Sequence, residues 1–318
     1  MQRGRNTGIV AALSSAFFLG LCPVFGKLAI NAGFSAMAVV ALRTVFAAGL
    51  VLVIVLLFYR SFFYIFPVGL LGCVLAGVIN GLGSILYYLA LSRLTASLGQ
   101  VLYSLYPFFV AIWLLFDEQS LNRLTLLRIT LATAAVLLLT YLPIHKADPI
   151  GVVMMLGAAA LYALHLPINQ RVLYEVPAPT VTLYTLLSMS AVVIPAYLIF
   201  DRQIPSEALN WWPLIGLSLM TSLSRLALFL GIKRIGGMQT ALLGLAELLI
   251  TILFSYIWLH DHLLWSQWLG VIVLCVSLLL VRFEKPHTPH SGTRNGWFSW
   301  IRPPAADLPQ NIPWGPHE

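Results

Sequence analysis

Apolar runs of about 20 residues follow one another along this chain, each closed by charges, proline or glycine. Ten of them match a hydrocarbon core roughly 30 Å thick: 8–30, 36–58, 66–90, 97–116, 121–142, 150–170, 180–200, 211–231, 238–258 and 263–283. Each is predicted as a membrane-crossing α-helix, so the expected fold is all-α and integral to a membrane. Arg3 and Arg5 ahead of the first run resemble the start of a signal peptide. That run is too long for one, lacks a small-residue cleavage site and is followed by further runs, so it is read as an uncleaved helix.

The runs repeat in two sets. "CPVFGK" from Cys22 and "LPINQR" from Leu166 both place a cation four residues after a proline: Pro23 and Lys27, then Pro167 and Arg171. Both pairs are displaced by 144 positions (167 − 23 and 171 − 27). "LSRL" at Leu91 and "IKRI" at Ile232 close the third helix of each set at a displacement of 141, which also sets Tyr106 against Glu247 and Pro107 against Leu248. The segment "PIHKADP", with proline at both ends, reads as the seam. Residues 1–142 and 150–283 are therefore expected to be five-helix repeats joined by a linker at 143–149. An odd number of crossings per half makes the second half enter from the opposite side, so the expected architecture is ten transmembrane helices in two inverted five-helix repeats. Residues 282–318 hold seven of the 18 prolines and no long apolar run. The stretch 284–318 is expected to be a disordered cytoplasmic tail.

Composition agrees with a membrane protein and excludes an ordinary soluble domain. Hydrophobic residues make up 60% and charged residues 9%, with mean hydropathy +0.91, whereas soluble domains carry roughly 25% charged residues. The net charge of +7 does not point to nucleic acid, because the cations gather in the short segments between apolar runs. There they report topology. With the N-terminus in the cytoplasm, the inner segments hold Arg3, Arg5, Arg60, Arg123, Arg171, Lys233, Arg234, Arg282, Lys285, Arg294 and Arg302. The outer ones hold Arg93, Lys146 and Arg202. Both termini are thus expected in the cytoplasm. Cys22, Cys73 and Cys275 sit inside apolar runs without disulfide or metal spacing and read as packing residues.

Three charges lie where lipid makes them costly, at about 2.5–3.5 kcal/mol each. Glu247 is near the middle of the ninth run, Arg225 near the middle of the eighth, and Arg43 somewhat off the middle of the second. Glu247 and Arg225 either pair with each other to pin two helices or line a hydrated midplane cavity. Arg43 either snorkels or contacts solute. If the three share a cavity, one positive charge is in excess, which favours a solute bearing a carboxylate. Glu247 is also the candidate coupling group for protons, since desolvation and a nearby arginine act on it in opposite directions. Asn80, Tyr103 and Tyr106 are the candidate polar contacts, with Tyr87, Tyr88 and Gln100 nearby in sequence. Asn80 lies between Gly77 and Gly81, so bridging helices across a Gly-x-x-x-Gly face is its structural alternative. His165, without a partner motif, reads as a packed residue. Pro23, Pro107 and Pro167 are candidate hinges or gates, because a mid-helix proline frees a carbonyl that protein or water must satisfy.

Longer stretches carry a resemblance. They are "ALRTVFAAGLVLVIVLL" at Ala41, "ALSRLTASLGQVLYSLYPFFVAIWLLFDEQ" at Ala90 and "GIKRIGGMQTALLGLAELLITILFSYIWLHDHL" at Gly231. Over roughly 8–283 the chain resembles the EamA-type members of the drug/metabolite transporter superfamily. The resemblance rests on Arg43 in the second helix and on two copies of a short cationic turn followed by a helix with a central proline and a terminal acid. The chain departs from the family pattern in having Glu247–Leu248 for Glu-Pro, Leu19–Gly20 for Trp-Gly, and Arg128 in place of glycine. Because substrates differ among members, the resemblance implies a fold and transport rather than one substrate. It favours export of amino acids or related small metabolites from a bacterial inner membrane.

Transport is accordingly the first functional reading: a secondary transporter of small polar, carboxylate-bearing solutes, working by alternating access around a midplane cavity. The expected partners are a small-molecule solute, the lipid bilayer and protons as coupling ion, with no nucleic acid; the sequence leaves the oligomeric state open. No cofactor is expected, because the chain has no nucleotide-binding loop for direct ATP drive. An intramembrane enzyme is the alternative, without a His-Glu-x-x-His signature, a Gly-x-Ser-x-Gly elbow or paired buried carboxylates to support it. His260-Asp261-His262 reads as a helix end rather than a metal site. A membrane scaffold or receptor is the third reading, and the tail is its only candidate extension.

Overall fold

The computed structural model describes residues 2–116, 122–140, 148–201, 210–258 and 265–280. Among these the regular structure is entirely helical: α1 (Gln2–Asn31), α2 (Ala36–Phe58), α3 (Pro67–Arg93), α4 (Ala96–Tyr103), α5 (Tyr106–Phe116), α6 (Arg123–Thr140), α7 (Pro149–Leu173), α8 (Ala178–Phe200), α9 (Trp212–Ile235), α10 (Gly237–Gly244), α11 (Ala246–Trp258) and α12 (Trp265–Leu279), with a 3₁₀ turn at Arg60–Phe63. Side chains start the helices where the sequence has Ser35, Thr95 and Asp148, which accept from the Ala38, Leu98 and Ile150 amides. The cap satisfies a donor that the first turn leaves open. Gly236, at φ +86°, ends α9 in a conformation that costs glycine little.

Eight stretches are long and apolar enough to cross a membrane. The ten-crossing expectation is met to that extent. The fifth run becomes α6, 18 residues that include Arg123 and Arg128, and the tenth becomes α12, with 15 residues. Neither attains the length and apolarity of a full span among the described residues. The tail, most of the linker and His260-Asp261-His262 lie outside those residues. Outward faces are apolar, with Phe200 at 79% exposure, and suit lipid rather than water.

Helices far apart in the chain pair along their lengths. α1 packs along α9 and α7 along α3, while α2 packs with α8 and α6 with α12. At one end of the first pair Gly8 abuts Arg234 and Ile235, and farther along Phe25 stacks edge-on against Trp212 at 5.7 Å. α1 and α9 are therefore antiparallel. Gly151 at the start of α7 meets Leu94 just past the end of α3, and Gly83 meets Leu161, so α3 and α7 are antiparallel too. Gly77 and Gly81 bring α3 against α8, where a Cβ on Gly77 would stand 2.5 Å from that of Ser188. Small residues allow this close approach.

The fourth and ninth runs differ from expectation. Each is an apolar span broken into two helices, α4 and α5 across Ser104–Leu105, and α10 and α11 across Leu245. The break tightens the chain to three-residue hydrogen bonds, Leu105 to the Leu102 carbonyl at 3.2 Å and Leu248 to that of Leu245 at 3.1 Å. Pro107 consequently stands in the first turn of α5, where its missing N–H costs nothing, and not in mid-helix as the sequence suggests. Pro23 and Pro167 do lie inside their helices. α10 is tied from three neighbours: Gln170 accepts from the Gly237 amide at 2.7 Å, Arg128 donates to Gln239 at 2.9 Å, and Tyr106 donates to the Ala241 carbonyl at 2.9 Å.

Candidate functional site

A cavity of about 50 Å³, room for a few water molecules, opens where α1, α2, α3, α4, α7, α9 and α11 converge. Arg43, Asn80, Tyr103, Arg225 and Glu247 all line it. Of the candidate contacts read from the sequence, Tyr106 alone stands back from the wall. It is buried behind Tyr103 and Tyr162, with ring centroids 5.8 and 5.0 Å away, and spends its hydroxyl on α10.

Arg225 and Glu247 do not pair, so pinning by a mutual salt bridge is not what holds α9 to α11. Arg225 is instead surrounded by neutral acceptors. Asn80 turns its amide oxygen to the guanidinium, the orientation that gives both groups partners, and accepts from Nη1 at 3.0 Å and Nη2 at 2.8 Å. His165 Nε2 lies 3.3 Å from Nη1, and the ring of Tyr162 lies 5.7 Å below the guanidinium carbon. Nε has no partner. An arginine carries five N–H donors in a rigid fork. Because the Asn80 oxygen sits in the notch between Nη1 and Nη2, the remaining Nη2–H and the Nε–H share one open edge.

Arg43 does not snorkel; it is 6% exposed. Nη2 donates to Ser84 at 3.0 Å, Nη1 to Thr221 at 3.3 Å, and the guanidinium stacks over Tyr88 at 4.7 Å. Its Nε is also without a partner. These partners too are uncharged. Glu247, in the first turn of α11, sits where the helix dipole favours an anion. Gln100 hydrogen-bonds its carboxylate, while Oε1 stands buried with no partner. Tyr87 donates to the Gln100 Oε1 at 3.2 Å and so keeps that amide turned.

Several wall residues escaped the sequence reading. Tyr162 and Cys22 both line the cavity, and Thr221 and Ser84 hold Arg43. The sequence does signal α9, where Thr221, Ser222, Ser224 and Arg225 crowd five positions of an apolar helix. It gives no comparable sign for His165, whose importance is a tertiary contact. Lys27 donates to the Leu91 and Leu94 carbonyls, both at 2.8 Å, closing the C-terminal end of α3. Cations suit a helix C-terminus. Asn80 meets its structural reading, since Gly77 and Gly81 pack α3 against α8 while Asn80 reaches across to Arg225 on α9. Among the described residues no cluster of three or more His, Cys, Asp or Glu could hold a metal ion.

The sequence profile of the EamA-like transporter family matches residues 6–141 and again residues 149–283. The chain belongs to the EamA-like transporter family. The first EamA match ends past α6 and the second begins at the start of α7, and the family places the chain among multi-pass membrane transporters. Twenty-seven solved protein chains match the fold (27). One, described as a crystal structure of a protein, superposes with a TM-score of 0.70 over 88% of this chain and 99% of its own, at 13% identity. That likeness concerns the fold alone. No curated protein matches.

Proposed function

We propose that the protein is a secondary transporter, an exporter of amino acids or related small carboxylate-bearing solutes, working by alternating access around this cavity. The observation that carries the reading is the charge balance of the wall. Among the described residues Arg43 and Arg225 are held only by neutral groups, and Glu247 is the one acid lining the cavity. Two cations against one anion leave an excess positive charge, and in a low-dielectric wall that charge attracts an anion strongly. The open guanidinium edge of Arg225 suits a carboxylate gripped by two parallel hydrogen bonds. At the other pole the unpartnered Oε1 of Glu247 suits an ammonium group or a proton, which makes Glu247 the coupling group. Tyr103 completes the wall between the poles.

The moving bodies are the halves 1–142 and 150–283, inverted with respect to each other, rocking about the cavity. The exchange of α1–α9 for α7–α3, and the antiparallel run of α3 and α7, support that symmetry. Pro23, Pro167 and the break before Pro107 are the hinge positions. In a bacterial inner membrane, the distribution of loop cations favours both termini in the cytoplasm. The test is flux of labelled alanine, phenylalanine, aspartate and lactate in proteoliposomes, with and without a pH gradient, for wild type and Glu247→Gln. Acid flux that responds to the gradient in wild type and loses that response in the variant supports the reading. Flux indifferent to gradient and substitution removes the coupling role, and no flux of any acid removes the transport reading.

A further inference from the structure

His165 touches two groups that together fix its chemistry. Nδ1 meets the backbone carbonyl of Tyr162, and Nε2 faces Arg225 Nη1 at 3.3 Å. A carbonyl only accepts, so Nδ1 carries the ring hydrogen. Nε2 then presents a lone pair to a guanidinium that always donates. The imidazole is therefore neutral while Arg225 stands where it does.

The consequence lies in the fork of Arg225. His165 takes one N–H of Nη1, and Asn80 takes the other together with one of Nη2. What remains is the Nε–Nη2 edge. Without His165, Nη1 would have an unspent donor, and the guanidinium could turn about its own axis to satisfy it. With α7 supplying one acceptor and α3 the other, the Nε–Nη2 edge is the one left without a protein acceptor at Nε. The repeat-related position of His165 is Leu21 (165 − 144), so this arrangement exists in one half alone.

We infer that His165 is a positioning residue that sets selectivity for the solute carboxylate, acting through Arg225 rather than on the solute itself. The inference rests on the carboxylate reading above and adds to it the residue that aims the cation. Because the imidazole is uncharged, it orients the guanidinium without cancelling its charge, which an acidic residue at this position would do.

The test is a double-mutant cycle on KM and Vmax in proteoliposomes, using labelled alanine, phenylalanine, aspartate and lactate. Wild type, His165→Leu, Arg225→Gln and the double variant are compared, with His165→Gln as the variant that keeps a neutral acceptor. His165→Leu is expected to raise KM roughly tenfold, the loss of a hydrogen bond to a charged group, with Vmax nearly unchanged. His165→Gln is expected to restore most of that loss. In the Arg225→Gln background His165→Leu should change KM by less than about twofold, because the group it positions is gone. Thermal melting of each purified variant separates folding from positioning. Multiplying losses, or a His165→Gln variant as impaired as His165→Leu while equally stable, overturn the inference and leave the carboxylate reading standing. Wild type that transports none of the acids overturns both.

Discussion

Tyr106 and Ala241 join the two broken spans. The hydroxyl at the start of α5 donates to a carbonyl in the middle of α10 at 2.9 Å, across what the sequence displacement makes corresponding helices of the two halves. The contact lies directly behind the cavity wall, so whatever moves α10 also moves the support of Tyr103 and Tyr162.

Gly244 makes this contact testable. A Cβ there would collide with the Tyr106 hydroxyl, the ring carbon behind it being 3.4 Å away. Gly244→Ala should lower stability by about 1–3 kcal/mol, the usual cost of overpacking. Adding Tyr106→Phe removes the colliding atom and should recover most of the loss. Melting temperatures of the two single variants and the double variant check it.

Gly20 is less forgiving. A Cβ on this α1 residue would stand 2.6 Å from the Glu247 backbone oxygen and 2.6 Å from the Ile250 Cβ, and neither is a flexible tip. Gly20→Ala should push α11 and its Glu247 away from the cavity, with transport falling at least tenfold. Gly49 has nothing within 4 Å and is the control. Gly49→Ala should leave flux unchanged.

Arg43 needs its fork, since it bridges Ser84 on α3 and Thr221 on α9 while stacking on Tyr88. A lysine offers a point charge in place of a planar, stacking bidentate group. Arg43→Lys is therefore expected to impair uptake of labelled solute nearly as much as Arg43→Gln. A lysine variant at wild-type rates would show that charge alone suffices.

The charged positions were legible because lipid makes them costly. Arg43, Arg225 and Glu247 stand out against any apolar run, and the expectation that they share a cavity needed only their depths. Asn80 was legible from its place between two glycines. The breaks at Ser104–Leu105 and Leu245 were not, since neither site carries a mid-helix proline and Pro107 points to a bend two residues late. His165 was opaque for a different reason. Its role depends on which nitrogen holds the hydrogen, and that is decided by a carbonyl one turn away and an arginine sixty positions on (225 − 165). The partners of Lys27 were not legible either, because a sequence does not show that α3 ends beside it.

At the membrane surface, Arg93 donates to Asp148 at 2.8 Å, and Asp148 also caps α7 through the Ile150 amide at 3.0 Å. The Arg93 hydrogen bond, aided by the backbone amide, holds the Asp148 carboxyl below its ordinary range. A lowered native value means the contribution is present at neutral pH and is lost as pH falls through that value. Asp148→Ala should melt slightly below wild type at pH 7, and the two should converge in acid below the usual carboxylate range. The pair is exposed, so the difference is small.

The most direct test of an uncompensated cationic wall compares an acid with its uncharged ester. Labelled alanine or phenylalanine exchange in wild-type proteoliposomes is challenged with the same unlabelled amino acid or with its methyl ester, in parallel with Arg225→Gln. The acid should compete and the ester should not, and the variant should lose the preference. Equal competition by acid and ester in wild type would contradict the account.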